Sequence, residues 1–507
     1  MSPLTLSLLL APLALSAPAD DPIEALYGRM ARTEELPVLY GAMERGPEVW
    51  ARALDDQRIG HDYYGGVEEL VRRETDPEGF ALEDPPPGWR PVLGVRGYGR
   101  LAVGNGRTQG LLGDAEDGLL SPRLGATLSA SSPWIEARIT AEARGDFVGG
   151  SQPVAFAVPT AWAGLHHGPL RVGFGLERRW LGPGRHGALI LGDDAWPFPA
   201  GSLALEGSVW KLGRLRADVG AGWLQRERAD VDRPGLLWMD FRWSPAPWLE
   251  LGASRASLFA GEGRPWPGVG QLILPLDPHV YDDPDRSEPD QDEIAALDAR
   301  LCVPLGRWMP VLDYVEVYTQ YGGDDMIVRR FGPIPRPSLA GVANLFGAEV
   351  SAGPVAVTAE YARLLDDTFR WYRGHRVYHE GFSQDGRWLG HVNGGDQETL
   401  WAQVTVFPGP WGVEAWTEQV RRVGVVEVVQ DTVFTLQVDE QRRRFGVRGW
   451  YVRPEAGRFG VGYELERITG IGFVPEEQAW MHRVWFEVRG SPWVIGARDE
   501  GGGNWGG

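Results

Sequence analysis

The chain has 507 residues, a formal net charge of −19 and a single cysteine, Cys302. The acidic balance argues against binding to nucleic-acid phosphates, and one cysteine excludes both a disulfide framework and a cysteine-based zinc site. With 43% hydrophobic residues and 23 tryptophans, the composition is far from that of a disordered chain. We therefore expect a folded protein with no nucleic-acid partner.

The N-terminus carries an apolar run over residues 4–15, the length of the hydrophobic region of a secretory signal peptide. The run is too short to span a bilayer as a helix. Small residues allow cleavage after Ser16 or after Ala19. We predict that residues 1–19 are an export signal.

Residues 20–88 carry helical patterns. Asp21 and Glu24 have capping-box spacing around Pro22 at the first helical position, and Ile23 and Leu26 begin an apolar stripe. Three consecutive prolines at 85–87 then interrupt any helix. The pattern predicts a small α-helical segment that ends at residue 88.

From Pro91 onward the hydrophobic period changes from 3.6 to 2. Ile135, Ala137 and Ile139 alternate with Glu136 and Arg138, and the same alternation recurs along the rest of the chain. Such strands form either a soluble sandwich with an apolar core or an outer-membrane barrel whose apolar face meets lipid.

Strand length and number favour the barrel. Several alternating segments run for about ten residues, which is the span of a tilted membrane strand. At roughly 22 residues per strand and connector, the chain supplies about 18 strands. We predict an all-β fold, a barrel of about 18 antiparallel strands over residues 89–498, followed by a Gly-rich tail at 499–507. Aromatic residues at segment ends are expected to form interfacial girdles: Trp134, Trp180, Trp243, Trp248, Trp411, Trp450 and Tyr451.

A search for catalytic and metal motifs gives no enzyme assignment. Gly97 and Gly99 fall inside an alternating strand, without the helix that a dinucleotide site needs. His375 and His379 have helical metal-pair spacing, but their segment favours a strand or loop. The acidic run at 282–293 lacks the spacing of a calcium loop and is expected to be solvated. We predict a non-catalytic protein without metal or cofactor.

Two motifs provide a more specific signal. The first reads Arg-Trp-Leu-Gly-Pro-Gly at 179–184, followed by an apolar triplet at 189–191, Ala195, Pro197 and Pro199. The second contains Tyr378, Gly381, Phe382, Gly386, Arg387, Gly390, His391, Gly395 and Asp396. A weaker third block runs from Glu316 to the acidic pair Asp324 and Asp325. In this order the blocks resemble the Wzi family of outer-membrane capsule-assembly proteins. The chain departs from the family pattern at Leu181, at Gly192, Asp193 and Asp194, and in its C-terminal ending.

The resemblance implies a closed barrel with a small periplasmic helical segment, located in the outer membrane. It implies a lectin-like protein that tethers capsular or exopolysaccharide to the cell surface. The expected partners are that polysaccharide and outer-membrane lipids, with the chain as a monomer. A porin-like channel for sugars or oligosaccharides remains the alternative, since porins also use arginine-lined lumens.

Within the motifs, arginine forks suit uronate carboxylates and flat aromatic rings suit sugar faces. The second motif is glycine-rich and loop-prone, so we expect its site at one mouth of the barrel. The competing interpretation is a salt bridge between Arg387 and Asp396 that only fixes the loop. The candidate polysaccharide-binding residues are Tyr378, Arg387, Trp388, His391, Asp396, Arg179 and Trp180. Gly182, Pro183, Gly184, Pro197 and Pro199 are expected to be structural.

Overall fold

The fold comes from a computed structural model that describes residues 92–495, with gaps at 106–118, 148–153, 273–289 and 366–370 and at shorter sites. The predicted export signal at 1–19, the predicted helical segment at 20–88 and the Gly-rich tail at 499–507 lie outside the described residues. No helix within the described ranges is long and apolar enough to cross a membrane.

The described chain is built almost entirely from β-strands. In chain order they are β1 (Val92–Asn105), β2 (Leu120–Ser131), β3 (Ile135–Arg144), β4 (Ala155–His167), β5 (Leu170–Glu177), β6 (Phe198–Val209), β7 (Gly213–Trp223), β8 (Gly235–Ala246), β9 (Leu249–Phe259), β10 (Gln291–Pro304), β11 (Tyr314–Asp324), β12 (Met326–Phe331), β13 (Ile334–Leu339), β14 (Val342–Ala352), β15 (Val355–Arg363), β16 (Ser383–Gln384), β17 (Arg387–Trp388), β18 (Gln397–Val406), β19 (Trp411–Gln430), β20 (Thr432–Arg453), β21 (Gly457–Thr469), β22 (Gln478–Arg489) and β23 (Trp493–Ile495).

Eighteen of these strands close into an antiparallel barrel. β12 with β13, and β16 with β17, form separate hairpins outside the wall. Each wall strand pairs with the next, and β22 returns to β1, with Arg489 opposite Tyr98. β23 continues along the same edge of β1, with Trp493 opposite Val95. The predicted barrel of about 18 strands is confirmed.

Long and short connections lie at opposite ends of the barrel. Residues 168–169 and 353–354 are short turns at one end, whereas residues 178–197 and 364–396 are long connections at the other. Outer-membrane barrels have short periplasmic turns and longer extracellular loops. We therefore call the long-connection end the outer mouth and the short-turn end the inner mouth.

The inner face of the wall is polar and its outer face is apolar, as expected from strands in which the two residue types alternate. On β7, Arg216 and Asp218 are buried toward the lumen while Ala217 and Val219 alternate with them on the outside. On β3, Ile139 is 45% exposed. The outward positions form an apolar belt that includes Leu128, Phe174, Phe241, Leu297, Phe346, Leu400, Phe445 and Phe486. This belt is the surface that lipid covers in a membrane barrel.

Charged side chains on the lumen face are paired within a strand and between strands that lie close together in the wall. Arg242 on β8 lies 2.8 Å from an Asp240 oxygen and 2.5 Å from an Asp298 oxygen. Arg444 on β20 contacts Glu418 at 2.8 Å and Glu466 at 3.2 Å. These pairs keep the buried charges compensated where bulk water is largely excluded.

The predicted aromatic girdle is only partly correct. Trp134, Trp248 and Trp411 are exposed near the inner mouth, where Trp411 packs against Tyr451 with ring centroids 4.5 Å apart. Trp180 and Trp450, in contrast, are buried on the lumen side. The sequence places an aromatic residue at the end of a segment, but its position on the inner or outer face decides whether it meets lipid.

Two long connections fold back into the lumen and fill it. We call residues 178–197 the first plug segment and residues 364–396 the second plug segment. Their apolar side chains pack with inward residues of the wall into one core, which contains Leu181, Leu189, Ile190, Leu191, Trp371, Tyr372, Tyr378, Phe382 and Leu389 from the plug and Trp238, Tyr318 and Leu345 from the wall. The barrel therefore has a hydrophobic core inside its polar lumen.

Candidate functional site

The first plug segment makes close backbone contacts that leave no room for side chains at its glycines. Gly182 has a φ of 138°, and a Cβ there would lie 2.6 Å from the Gln320 side-chain amide. That amide accepts a hydrogen bond from the Leu189 N–H at 2.9 Å and donates one to the Leu181 carbonyl at 3.1 Å. A Cβ at Gly184 would collide with the Gly187 carbonyl. Small residues thus let the segment lie flat against β11.

A single wall carboxylate holds the tip of the first plug segment. Glu360 on β15 accepts hydrogen bonds from the N–H groups of Arg185 at 2.6 Å and Gly187 at 2.9 Å, with the His186 N–H at 3.3 Å. The Tyr318 hydroxyl donates to the same carboxylate at 2.9 Å. Consecutive backbone N–H groups aimed at one anion form a nest, and here the anion belongs to the wall.

The side chains of the tip engage further wall acids. The Arg185 guanidinium lies 2.9 Å from Glu316, and His186 Nε2 lies 2.6 Å from Glu418. The His186 ring stacks on Trp401, with an interplanar angle of 6° and centroids 4.9 Å apart. The tip of the first plug segment therefore contacts the barrel through its backbone and through the side chains of Arg185 and His186.

His391 of the second plug segment lies beside the same histidine. Its ring is fully buried and meets the His186 ring edge-on, with centroids 6.1 Å apart. Its Nδ1 lies 3.2 Å from the Asn393 N–H and 3.2 Å from Gln397 Nε2, so it is the acceptor of a neutral ring. Burial, and to a lesser degree His186, lowers the pKa of His391 to about 3, although Glu418 opposes the shift.

Tyrosine hydroxyls fasten the second plug segment to its surroundings. Tyr372 donates to the Leu189 carbonyl at 2.8 Å and accepts from the His391 N–H at 2.7 Å. Tyr378 is fully buried and donates to the Ala260 carbonyl at 2.9 Å. Burial, followed by the nearby Asp290, raises the pKa of Tyr378. Its phenol is therefore a neutral hydrogen-bond donor that positions the segment.

The remaining candidates lie near the plug surface at the outer mouth. Arg387 and Trp388 form β17 and are partly exposed, and the Arg387 guanidinium lies 3.6 Å from Asp194 of the first plug segment. Tyr372 stacks against Trp388 at 5.7 Å with a 27° interplanar angle, and the exposed Arg373 guanidinium lies 4.5 Å from the centre of the indole ring. Two guanidinium groups and an indole are therefore assembled at one accessible place, beside the buried Asp194 carboxylate.

The structure thus divides the predicted site residues into two groups. Arg387, Trp388 and Asp396 are partly exposed, and the Asp396 carbonyl accepts from the Val423 N–H at 2.9 Å. Tyr378, His391, Arg179 and Trp180 are buried. Arg179 donates to Ser202 Oγ at 2.8 Å and lies 5.3 Å from the Trp238 ring.

Sequence reasoning missed the wall residues that hold the plug. Glu360 and Glu418 are ordinary inward positions of alternating strands, and no local motif marks them. Arg373 was recognisable as part of an arginine and aromatic cluster, and Asp194 as part of an acidic pair, but neither was predicted to lie beside Arg387. Only the folded plug brings these residues together.

A closed antiparallel wall, an apolar outer belt and a lumen filled by its own long connections define a plugged outer-membrane β-barrel. The family model described as capsule assembly protein Wzi matches residues 118–408. The chain belongs to this family.

A comparison with solved structures gives one match that shares the fold and others with lower scores. The chain is similar to Escherichia coli Wzi, described as an outer-membrane protein involved in group 1 capsule assembly and as a carbohydrate-binding β-barrel. The two are 17% identical, with a TM-score of 0.65, and the match covers 94% of this chain and 99% of that chain. Pseudomonas aeruginosa OprD matches at 8% identity and a TM-score of 0.46, covering 80% and 95% of the two chains. Acinetobacter baumannii OccAB1 matches at 11% identity and a TM-score of 0.46, covering 80% and 97%. No curated protein matches the chain significantly.

Proposed function

We propose that the chain binds capsular or exopolysaccharide at its outer mouth and so tethers the polymer to the cell surface, without catalysing a reaction. Membership of the Wzi family supports the capsule role, and the carbohydrate binding described for the E. coli protein supports the ligand class. The observation that carries the proposal is the accessible cluster of Arg387, Trp388 and Arg373 on the second plug segment.

Each residue of the cluster has a distinct proposed role. Arg387 and Arg373 offer planar forks that can hold a uronate carboxylate by paired hydrogen bonds. Trp388 offers an indole ring on which a sugar ring can stack. The exposed Arg373 side chain, which lies over that indole in the free protein, moves aside when the sugar binds. The Asp396 carboxylate accepts hydrogen bonds from sugar hydroxyl groups. Tyr378, His391, Arg179 and Trp180 are buried and act as positioning residues behind this surface.

The experiment removes the side chains of this surface one at a time. Arg387→Ala and Trp388→Ala are each expected to weaken polysaccharide retention about tenfold, because charge-assisted hydrogen bonds and ring stacking are lost. Cell-bound and released polysaccharide are measured at equal surface levels of folded protein. Arg421→Ala is the matched control, since Arg421 is an exposed rim arginine paired with Asp439 at 2.8 Å. Unchanged retention in both variants would contradict the proposed site.

The plug also bears on the sugar-channel alternative. A lumen filled by the core of Leu189, Ile190 and Tyr378 disfavours free diffusion through the barrel. Purified protein in planar bilayers is expected to show little or no conductance. Large stepwise conductance would favour the channel.

The same proposal extends to the processing and assembly of the chain. We propose that residues 1–19 are removed on export, that residues 20–88 form a periplasmic helical segment, and that the mature protein is a monomer in the outer-membrane lipid. Mass spectrometry of the mature N-terminus tests the cleavage, and light scattering in detergent tests the monomer.

A further inference from the structure

Three consecutive arginines on β20 are divided between the two faces of the wall. Arg442 and Arg444 each lie 2.8 Å from a lumen acid. Arg443, between them, is exposed on the outer face, and the next outward position toward the inner mouth is Phe445 of the apolar belt. Arg443 therefore lies at the outer-mouth edge of the surface that lipid covers.

The neighbouring strand places a second arginine at the same edge. Arg467 on β21 is directly opposite Arg443 in the strand register, so both side chains leave the outer face side by side. The outward positions of β21 that precede Arg467 are apolar or aromatic: Phe459, Val461, Tyr463 and Leu465. Like charges directly opposite each other destabilise a sheet, so an external anion would stabilise this pair.

The protein itself provides few partners for the two guanidinium groups. Among the described residues, the Arg443 side chain makes no hydrogen bond or ion pair. Arg467 donates to Gln478 Oε1 at 3.4 Å and lies 5.4 Å from the centre of the Trp480 ring. Trp480 is itself 50% exposed. Two cationic forks and an indole are therefore accessible together on the outer face.

The acids in this part of the wall do not neutralise the arginine pair. Asp439, on the same face of β20, lies 2.8 Å from Arg421 instead. Glu476 and Glu477 are exposed in the connection before β22, and neither forms an ion pair with Arg467 in the described part of the chain. The pair therefore keeps a net positive charge.

This charge is a local feature of the wall. On other strands the outward positions near the outer mouth are exposed and apolar, as at Val103 on β1, Leu120 on β2 and Phe156 on β4. The arginine pair therefore distinguishes one segment of the outer rim from the rest of the lipid-facing surface.

We propose that Arg443 and Arg467 form a docking site for the phosphate-bearing headgroup of a lipid in the outer leaflet. Their guanidinium groups hold the phosphate oxygens by paired hydrogen bonds. Trp480 lies beside them at the level where interfacial tryptophans meet headgroups. The site is continuous with the apolar belt at Phe445, so the acyl chains of the same lipid cover the wall below it. This outward position separates the site from the polysaccharide surface in the mouth, and the proposal does not depend on that surface.

The test measures lipid binding to the full-length protein in detergent by native mass spectrometry. Phosphorylated lipid A and the same lipid after removal of its phosphates are titrated in parallel. We expect the phosphorylated lipid to bind at least about fivefold more tightly, because only it carries the anion that the arginines recognise. Equal binding of the two lipids overturns the proposal.

Variants assign the binding to the arginine pair. Arg443→Gln and Arg467→Gln are each expected to weaken binding of phosphorylated lipid A about fivefold. The matched control is Arg363→Gln, which alters an exposed outward arginine at the same end of the barrel, paired with Glu398 at 3.4 Å, and should bind like the parent. Heat-modifiable migration on a gel verifies folding of each variant.

Two results with these variants contradict the lipid site. Equal lipid binding in Arg443→Gln, Arg467→Gln and Arg363→Gln shows that the pair does not hold the headgroup. Loss of polysaccharide retention with unchanged lipid binding assigns the two arginines to the polysaccharide surface instead.

Discussion

The two plug segments lie in the same lumen but differ in how they are held and in what they expose. The first plug segment is buried from Arg179 to Leu191 and is bound to the wall through Glu360, Glu316 and Glu418. The second plug segment packs on the first through Tyr372 and exposes Arg373 and part of β17 at the outer mouth. The first plug segment therefore supports the candidate site, and the second plug segment carries the exposed residues of that site.

The largest expected effect comes from detaching the first plug segment from the wall. Glu360→Ala leaves buried N–H groups of Arg185 and Gly187 and the Tyr318 hydroxyl without their acceptor. Each such group costs about 1–3 kcal/mol, so we expect the free energy of unfolding to fall by at least about 3 kcal/mol. Thermal unfolding in detergent measures the loss, and bilayer conductance reports whether the lumen opens.

A matched acid distinguishes this effect from a general loss of charge. Glu398 on β18 makes a more exposed ion pair with Arg363 at 3.4 Å. Glu398→Ala is expected to cost no more than about 1 kcal/mol. If the two variants unfold alike, the first plug segment is not held by Glu360 as the structure indicates.

Glycine-to-alanine substitutions give a second way to compare the stability contributions of the two plug segments. A Cβ at Gly187 collides with the His391 ring, whereas a Cβ at Gly386 meets nothing within 4 Å. Gly187→Ala is therefore expected to cost about 1–3 kcal/mol by overpacking the contact between the two segments. Gly386→Ala costs about 1–2 kcal/mol from its φ of 73° alone.

Thermal unfolding compares these two variants, and polysaccharide retention gives an independent measurement. Gly386→Ala should retain polymer at normal surface level, because its added methyl group contacts nothing. A larger loss of stability in Gly386→Ala than in Gly187→Ala would show that the contact between the segments is not tight.

Lowering the pH is expected to reduce stability through His391, whose ring forms the contact with Gly187 between the two plug segments. His391 lies in the connection before β18, and its pKa of about 3 is below the ordinary value of 6.5. The unfolded chain therefore binds a proton below pH 6.5 that the folded chain excludes until about pH 3. The contribution to stability is complete above pH 6.5 and falls by roughly 1.4 kcal/mol for each unit below it.

The measurement is thermal unfolding between pH 7 and pH 5, above the usual range in which carboxylates titrate. His391→Gln cannot take up the proton and should show a flatter pH dependence in this window. The same slope in the variant and the parent would assign the effect to another group.

Much of the fold could be predicted from local pattern. The alternation at Ile135, Ala137 and Ile139 determines which side chains meet lipid, because successive strand residues point to opposite faces. Segment length and spacing then give about 18 strands, the number observed. The motif residues at 179–184 and 378–396 were also recognisable, since their residue types and order are local properties of the chain.

Tertiary structure alone decided what those residues do. The Arg185 N–H meets Glu360 across 175 positions of sequence, and no period or motif encodes a contact at that range. Trp180 and Trp450 look like girdle residues until the plug and the lumen face bury them. The acidic run predicted to be solvated ends inside β10, where Glu293 pairs with Arg255 and the preceding Asp290 lies 2.9 Å from Arg264. The sequence determines the wall because its pattern repeats every two residues. Only closure of the barrel decides which connections fill the lumen, because burial there depends on strands that are distant in the chain.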